Sequence, residues 1–233
     1  MTPFAKALLA FHRGDSSARF VITREDGFAQ DVPVSTFFAD DEFSYLESRA
    51  LASCRGDVLD VGAGAGRHSL ALRRLGHEVT SIELEPECEV ILRSRGLEEI
   101  IIGDIMSWNN QRFDTVLMLM NGIGMIGTPA KLDQFLSTLP SLLKPDGFLL
   151  CDSIDVGLSD NPTHVAYREA NVKAGRAPGQ QSFRISFEGE SGQSFEWLHL
   201  SPEALALHCA KMGLTATVLH QASNGHYLAC VGL

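Results

Sequence analysis

Residues 57–68 read DVLDVGAGAGRH, and the fold turns on how this stretch is understood. A short apolar run, VLDV, precedes three glycines at alternate positions, Gly62, Gly64 and Gly66. A helix-like segment, RHSLALRRLG, follows. A glycine-rich turn between a strand and a helix brings bare backbone N–H groups up to a ligand at the positive end of the helix. Side chains at these positions would obstruct that approach or forbid the turn. The spacing is Gly-x-Gly-x-Gly. Arg67 stands where the dinucleotide fingerprint Gly-x-Gly-x-x-Gly needs its third glycine.

Downstream, two acids continue the pattern. SIEL places Glu83 at the end of a second strand, 17 residues after Gly66. A carboxylate there accepts two ribose hydroxyls in a bidentate way. IGDI places Asp104 at the end of a third strand, positioned for an exocyclic amine of an adenine ring. Each acid alone reads as a solvated loop residue; the ordered pair behind this loop reads as a nucleoside site.

The surrounding chain alternates. DVLDVG, HEVTSIEL, EEIIIGDI, FDTVLMLMNG and GFLLCDSI read as strands, with helices over RHSLALRRLG, PECEVILRSRG and PAKLDQFLSTLPSLLKPDG. In the last helix Leu132, Phe135, Leu136, Leu139, Leu142 and Leu143 face inward, and Pro140 marks a kink or a weak last turn. Apolar strands alternating with helices imply an α/β, Rossmann-like, doubly wound sheet that is mostly parallel. N-terminally, Phe4, Ala7, Leu8 and Phe11 recur at helical spacing, RFVIT is a strand, VPVSTFF is extended, and a helix starts near Asp40. Residues 153–200 break the rhythm with a polar stretch and a hairpin, SFRISFEG and GQSFEWLHL. SPEALALHCAKMG restores a helix capped by Ser201, with Pro202 in its first turn and Gly213 past its end. LTATVLH and GHYLACVGL close the chain as strands. One domain over 1–233 is expected: a cap at 1–55, a core at 56–152, an insertion or substrate cover at 153–200, and the closing elements at 201–233.

Composition narrows the function. A formal charge of −10 without a Lys/Arg cluster disfavours nucleic acid as a partner. The five cysteines include no CxxC pair, which suits reduced, cytoplasmic usage and no metal site. The N-terminal apolar run is too short and interrupted for a signal peptide, and no 18-residue apolar stretch suggests a membrane span.

Taken together, DVLDVGAGAGRHSLAL, SIELEPE, IGDI, FDTVLMLMNGIGMIG and LPSLLKPDGFLLCDS resemble, in order, the motifs of the class I S-adenosylmethionine-dependent methyltransferases. The resemblance is strong over 57–155 and looser over 195–231. It implies seven strands, the last antiparallel, with GHYLACVGL as that strand. It implies S-adenosylmethionine as cofactor, S-adenosylhomocysteine as product, and a small-molecule acceptor methylated on O or N by a monomer or homodimer. By position, Asp60 would orient the loop and meet the methionine amine through water, and Gly62, Ala63 and Gly64 would line the methionine portion, with Gly66 and Arg67 closing the loop. Glu83, beside Leu84, would hold the ribose. Gly103, Asp104 and Ile105 would hold the adenine, and Met120 and Asn121 would lie under the sulfonium.

The acceptor is less legible. NGIG after the fourth strand lacks the aromatic that exocyclic-amine methylases use to stack a base, no cysteine lies between Cys88 and Cys151, and Asn121 is the one polar residue at that strand end. Catalytic candidates are His68, Tyr167 and His199. For His68, capping the helix is the favoured reading and facing the sulfonium the other. Phe37, Phe38 and Tyr45 form either a lid or plain packing. Tyr167, Arg168, Arg176 and Arg184 are solvated charges and rings or an anion-binding group. Phe183, Ile185, Phe187, Phe195 and Trp197 form the hairpin's apolar face, with Glu196 beside His199. Two rivals stay open: a non-catalytic S-adenosylmethionine-binding module and an NAD(P)-dependent oxidoreductase, the latter weakened by Arg67 and Asp104.

Overall fold

A computed structural model describes residues 1–108 and 110–233. In chain order the elements are α1 (Pro3–His12), β1 (Arg19–Arg24), β2 (Ala29–Pro33), α2 (Ser35–Phe38), α3 (Tyr45–Ser53), β3 (Val58–Val61), α4 (Arg67–Arg74), β4 (Val79–Glu83), α5 (Cys88–Ser94), β5 (Ile100–Ile102), β6 (Phe113–Met118), α6 (Pro129–Leu142), β7 (Leu143–Ile154), α7 (Pro162–Lys173), β8 (Gln180–Phe187), β9 (Glu190–Ser191), β10 (Phe195–Leu198), α8 (Pro202–Lys211), β11 (Thr215–Gln221) and β12 (His226–Gly232). The chain divides into two compact units, one of residues 1–108 with 183–194 and one of 109–182 with 195–233. The fold is α/β and Rossmann-like. Its seven core strands are mostly parallel with antiparallel ones at the end of the chain.

The first unit carries β3, β4 and β5 in parallel, Val58 opposite Val79 and Ser81 opposite Ile100. β3 and β4 are buried along their whole length, as strands covered on both faces must be. Thr2 caps α1 with its hydroxyl on the Ala5 N–H. α1 buries Ala7 and Leu8 in a core with Phe20, Ile91, Leu92, Leu97 and Phe187. Phe187 arrives there because β8 pairs antiparallel with β1, Val21 opposite Ser186. The expected hairpin is therefore also a strand of the N-terminal cap sheet, and the 160-residue separation leaves no local signal of it. Two cap expectations are corrected. STFF is not extended: residues 35–38 form the short helix α2. The following helix starts at Tyr45 rather than near Asp40, where Ser44 and Glu47 form a capping box.

The cap is clamped to α4 by charge. Arg67 donates from Nη1 to the Thr36 carbonyl at 2.5 Å, and from Nη2 to the Glu42 carbonyl at 3.0 Å and to Glu47 Oε1 at 2.7 Å. His68 Nε2 lies 2.9 Å from the same Glu47 oxygen, and the Phe43 ring covers both the guanidinium and the imidazole. Glu47 Oε2 accepts the Ser44 N–H at 2.9 Å. Burial works to raise the Glu47 carboxyl. The His68 and Ser44 hydrogen bonds and the Arg67 charge outweigh it and hold the group at about 2, below the ordinary 4.5.

The second unit carries β6 parallel to β7, β12 antiparallel to β7, and β11 antiparallel to β12. GHYLACVGL is thus the antiparallel strand expected. All six inward residues of α6 and its end, Leu132 through Leu143, are buried. Pro140 sits inside α6, two residues before its last, where few backbone bonds remain to be lost. α8 has the Ser201 cap, on the Ala204 N–H.

Two stability outcomes follow from these contacts. At Gly66, φ is +84°, and a methyl group would stand 2.7 Å from Leu97 Cδ1 and 2.9 Å from Leu92 Cδ2. Gly66→Ala is expected to cost about 2–4 kcal/mol in urea unfolding, from left-handed strain plus overpacking; a loss below about 0.5 kcal/mol would contradict this packing. For Glu47 the folded-state value is depressed, so its contribution is full above pH 4.5 and is lost as pH falls toward 2. Glu47→Gln should therefore lower stability by roughly 2–3 kcal/mol at neutral pH and by much less at pH 2–3. An equal deficit at both pH values would show that the carboxylate charge is not what holds the clamp.

Candidate nucleoside site

The glycine loop continues β3 through three left-handed residues, Gly62 at φ 74°, Gly64 at 57° and Gly66 at 84°. Only glycine takes this succession without strain. The Gly62 and Ala63 N–H groups donate to the Ile82 carbonyl at 2.9 and 3.2 Å, which stitches the loop to β4. Glu83, the last residue of β4, accepts the Gly64 N–H on Oε2 at 2.7 Å. Its Oε1 accepts the Leu84 and Glu85 N–H groups at 2.8 and 3.2 Å. Burial raises the Glu83 carboxyl, and the three backbone donors oppose that rise. Among the described residues no lysine or arginine is a hydrogen-bond partner of it, and each oxygen keeps lone-pair capacity beyond these bonds.

Gly64 and Gly66 differ in surroundings. A methyl group at Gly66 collides with two leucines, so that glycine serves packing. At Gly64 it would meet only the Gly62 carbonyl oxygen, at 3.9 Å, so the loop presents open space there. Asp60, on β3, is buried and accepts the Ser69 hydroxyl at 2.6 Å, while Ser69 also meets Ser81 at 2.9 Å. Burial raises the Asp60 carboxyl. This cluster fixes the start of α4 to both strands.

Past β5, Gly103 donates to the Glu83 carbonyl at 2.9 Å. Asp104 is exposed, and its Oδ1 accepts the Met106 N–H at 2.9 Å while Ile105 is buried. Leu84 is 65% exposed, an apolar side chain left uncovered directly beside Glu83. Asp60, Gly62, Ala63, Gly64, Glu83, Leu84, Gly103, Asp104 and Ile105 thus come together in the first unit, at the ends of three adjacent parallel strands. Arg67 and His68 do not share that direction: their polar atoms face Glu47 and the cap, which suits the helix-start reading of His68. Phe37 and Phe38 are also engaged in the core, Phe37 with Phe4 and Phe20, and Phe38 with Phe11. Tyr45 is exposed.

The second unit holds the remaining candidates. Met120 and Asn121 follow β6 at φ 65° and 58°. Left-handed backbone costs a non-glycine residue on the order of 1–3 kcal/mol, and for methionine it is an outlier. The Gly122 N–H donates to Asp152 Oδ1 at 2.9 Å, and Gly124 packs under the Trp197 indole so closely that no side chain fits. The Asn121 Oδ1 is buried and no donor among the described residues reaches it. Tyr167 is buried with the Arg176 guanidinium 5.9 Å from its ring centroid. His199 is held through its backbone N–H to the Gly179 carbonyl at 2.9 Å. Among the described residues no group of His, Cys, Asp and Glu could hold a metal, and no helix is long and apolar enough to cross a membrane.

Two structurally central residues escaped the sequence reading. Glu47 carried a signal, the S-x-x-E box at 44–47. Asp152 also carried one, as an acid near the end of an apolar strand, in the manner of Glu83.

A family model described as a methyltransferase domain matches residues 58–147. Ubiquinone biosynthesis O-methyltransferases of Xanthomonas oryzae pv. oryzae and Xylella fastidiosa are 32% and 35% identical over 120 residues, 48% of this chain and 48% and 46% of theirs. The chain therefore spans about half the length of these curated relatives in its match. A SAM-dependent methyltransferase from Bacteroides fragilis, solved with S-adenosyl-L-homocysteine, is 29% identical with a TM-score of 0.87, covering 99% of this chain and 94% of that one. The glycopeptide N-methyltransferase MtfA, 18% identical with a TM-score of 0.58 over 83% and 96% of the chains, shares the fold. The matched span begins at the strand feeding the glycine loop and runs through Glu83 and Asp104; the chain is similar to a methyltransferase domain over that span and to a SAM-dependent methyltransferase along nearly its whole length.

Proposed function

We propose that the protein transfers a methyl group from S-adenosylmethionine to the oxygen or nitrogen of a small molecule. The observation that carries this reading is the open cradle at Gly64, backed by the Glu83 carboxylate that already holds the loop amide. When bound, S-adenosylmethionine supplies a methyl on cationic sulfur for in-line transfer to an acceptor lone pair, leaving the carbon–sulfur pair on sulfur and the acceptor proton to water. The glycine loop takes the amino-acid portion against bare peptide N–H groups. Glu83 uses its remaining lone pairs for the ribose hydroxyls, Asp104 its Oδ2 for the adenine amine, and Leu84 packs on the ring. Positioning of this kind lowers a bimolecular barrier by up to roughly 7–11 kcal/mol, so the protein needs no nucleophile of its own. The names of the O-methyltransferase relatives and of the B. fragilis protein support both the cofactor and an oxygen acceptor. A soluble, small-molecule enzyme acting as a monomer or homodimer fits the acidic chain.

Calorimetry with S-adenosylhomocysteine tests the donor half, and a labelled-methyl assay over phenols, catechols and primary amines tests the acceptor half. Gly64→Ala is the informative variant. It should unfold within about 1–2 kcal/mol of the parent, because only backbone strain is added, yet lose S-adenosylhomocysteine binding by about 10²-fold or more as the methyl fills the cradle. Glu83→Ala should also weaken binding by about 10²-fold, by removing both the loop support and an acceptor. Undiminished affinity in either folded variant would place the nucleoside elsewhere.

A further inference from the structure

In the first unit Arg19, Arg24 and Arg93 each meet a carboxylate of their own, Asp31, Asp26 and Glu89. Arg73, Arg74 and Arg95 are arranged differently. Arg74 Nη1 lies 3.3 Å from Asp40 Oδ2, and Arg95 Nη2 lies 3.0 Å from the same oxygen. One carboxylate therefore answers two guanidinia. Arg74 also donates to the Asp40 carbonyl, and Arg73 donates to the Gly96 carbonyl just past α5. Burial pulls the Arg95 guanidinium below its ordinary value, Asp40 opposes that, and the like charge of Arg74 adds to it.

These guanidinia border a cleft. Leu70, Arg73 and Arg74 share one face of α4, at spacings of three and four residues, and line a cleft of about 290 Å³. Long side chains on a helix lean back toward its N-terminus. Arg73 and Arg74 thus stand over the turn of Leu70, away from the negative end of α4, where an anion would be repelled. Arg73 reaches toward the end of α5 and Arg74 toward Asp40, so they flank the opening on two sides, with half-buried Leu70 between them.

Three guanidinia against one carboxylate leave two positive charges beside this cleft, in a chain whose formal charge is −10. A guanidinium carries five N–H donors in a planar fork, more than these contacts use, and such forks take phosphate oxygens in pairs. A phosphate monoester carries a charge of about −1.5 to −2 at neutral pH, which matches the local excess. Leu70 gives its carbon group an apolar surface.

We propose that this cleft binds a small phosphate monoester, with Arg73 and Arg74 on its oxygens and Leu70 against its carbon group. The site shares no residue with the nucleoside cradle and does not rest on the methyl-transfer reading.

Calorimetry on the full chain with phenyl phosphate tests this, beside inorganic phosphate, phenol and succinate. Phenyl phosphate should saturate with a Kd on the order of 1 mM or tighter. Inorganic phosphate should bind at least about threefold more weakly for want of the Leu70 contact, and phenol should not bind. Excess S-adenosylhomocysteine should leave the phenyl phosphate Kd within about twofold. Arg73→Gln should weaken phenyl phosphate about tenfold while its melting temperature stays within about 2 °C, because the bond it loses in the protein is exposed. Arg19→Gln removes the same charge elsewhere and should change the Kd by less than about twofold. In the parent, the Arg73 and Arg74 side-chain Nε–H signals should move during the titration, a readout that needs no variant. No saturation by about 20 mM phenyl phosphate would overturn the proposal. So would succinate or inorganic phosphate binding as tightly, equal losses in Arg73→Gln and Arg19→Gln, or arginine signals that stay still. Competition with S-adenosylhomocysteine would move the phosphate to the nucleoside cradle and overturn it as well.

Discussion

The hydrogen bond from the Gly64 N–H to Glu83 Oε2, at 2.7 Å, is the constraint on which the site depends. It joins the end of β4 to the middle of the loop that leaves β3. Without it, a loop with left-handed residues at three alternate positions would have backbone freedom and little to direct it. The Gly62 and Ala63 bonds to the Ile82 carbonyl register the loop on the neighbouring strand, but they act at its base. Glu83 acts at its apex. The same carboxylate ties down Leu84 and Glu85, so one buried side chain shapes the exits of two strands. Burying it without a cationic partner is expensive, and three backbone donors are what make the buried charge tolerable.

Charge is sorted by direction around α4. The negative groups of the site, Asp60 and Glu83, are satisfied by hydroxyl and peptide donors. The guanidinium of Arg67, at the start of α4, is turned instead onto Thr36, Glu42 and Glu47. Arg95 behaves alike, reaching the Ala65 carbonyl of the loop from one nitrogen, and the Phe38 carbonyl and Asp40 from the other. Two arginines therefore hold the segment 36–47, from α2 to the start of α3, against the glycine-loop side of the unit. Cations build the frame, and carboxylates without cationic partners remain at the strand ends.

How much of this was legible differs by the range of the interaction. The order of strand, glycine loop, helix and acid at 57–83 is local, and each part has its own sequence mark. So does the cap of α8, where Ser201 and Pro202 occupy adjacent positions. Long-range partners left no such mark. Nothing in RFVIT announces that β8, some 160 residues later, will pair with it, because an alternating strand is equally consistent with pairing in a hairpin. VPVSTFF has the β-branched and aromatic content of a strand, yet Ser35–Phe38 turn helical so that Phe37 and Phe38 can enter the aromatic cluster with Phe4 and Phe11. Arg67 was placed beside the nucleoside by position alone. Its guanidinium went to the cap because α4 aims its first side chain at residues that precede it by 20 to 31 positions.

The distribution of strain is informative for the same reason. Glycines bear the left-handed conformations of the loop at 62, 64 and 66, where the backbone itself is the binding surface and a side chain would obstruct it. At the end of β6 the chain makes a comparable bend with Met120 and Asn121, although glycine would be the easier choice. Gly122 is the next residue, so a one-position shift would have put glycine into the bend. Asn121 therefore stands in the bend for its side chain, whereas Gly64 stands in its loop for having none.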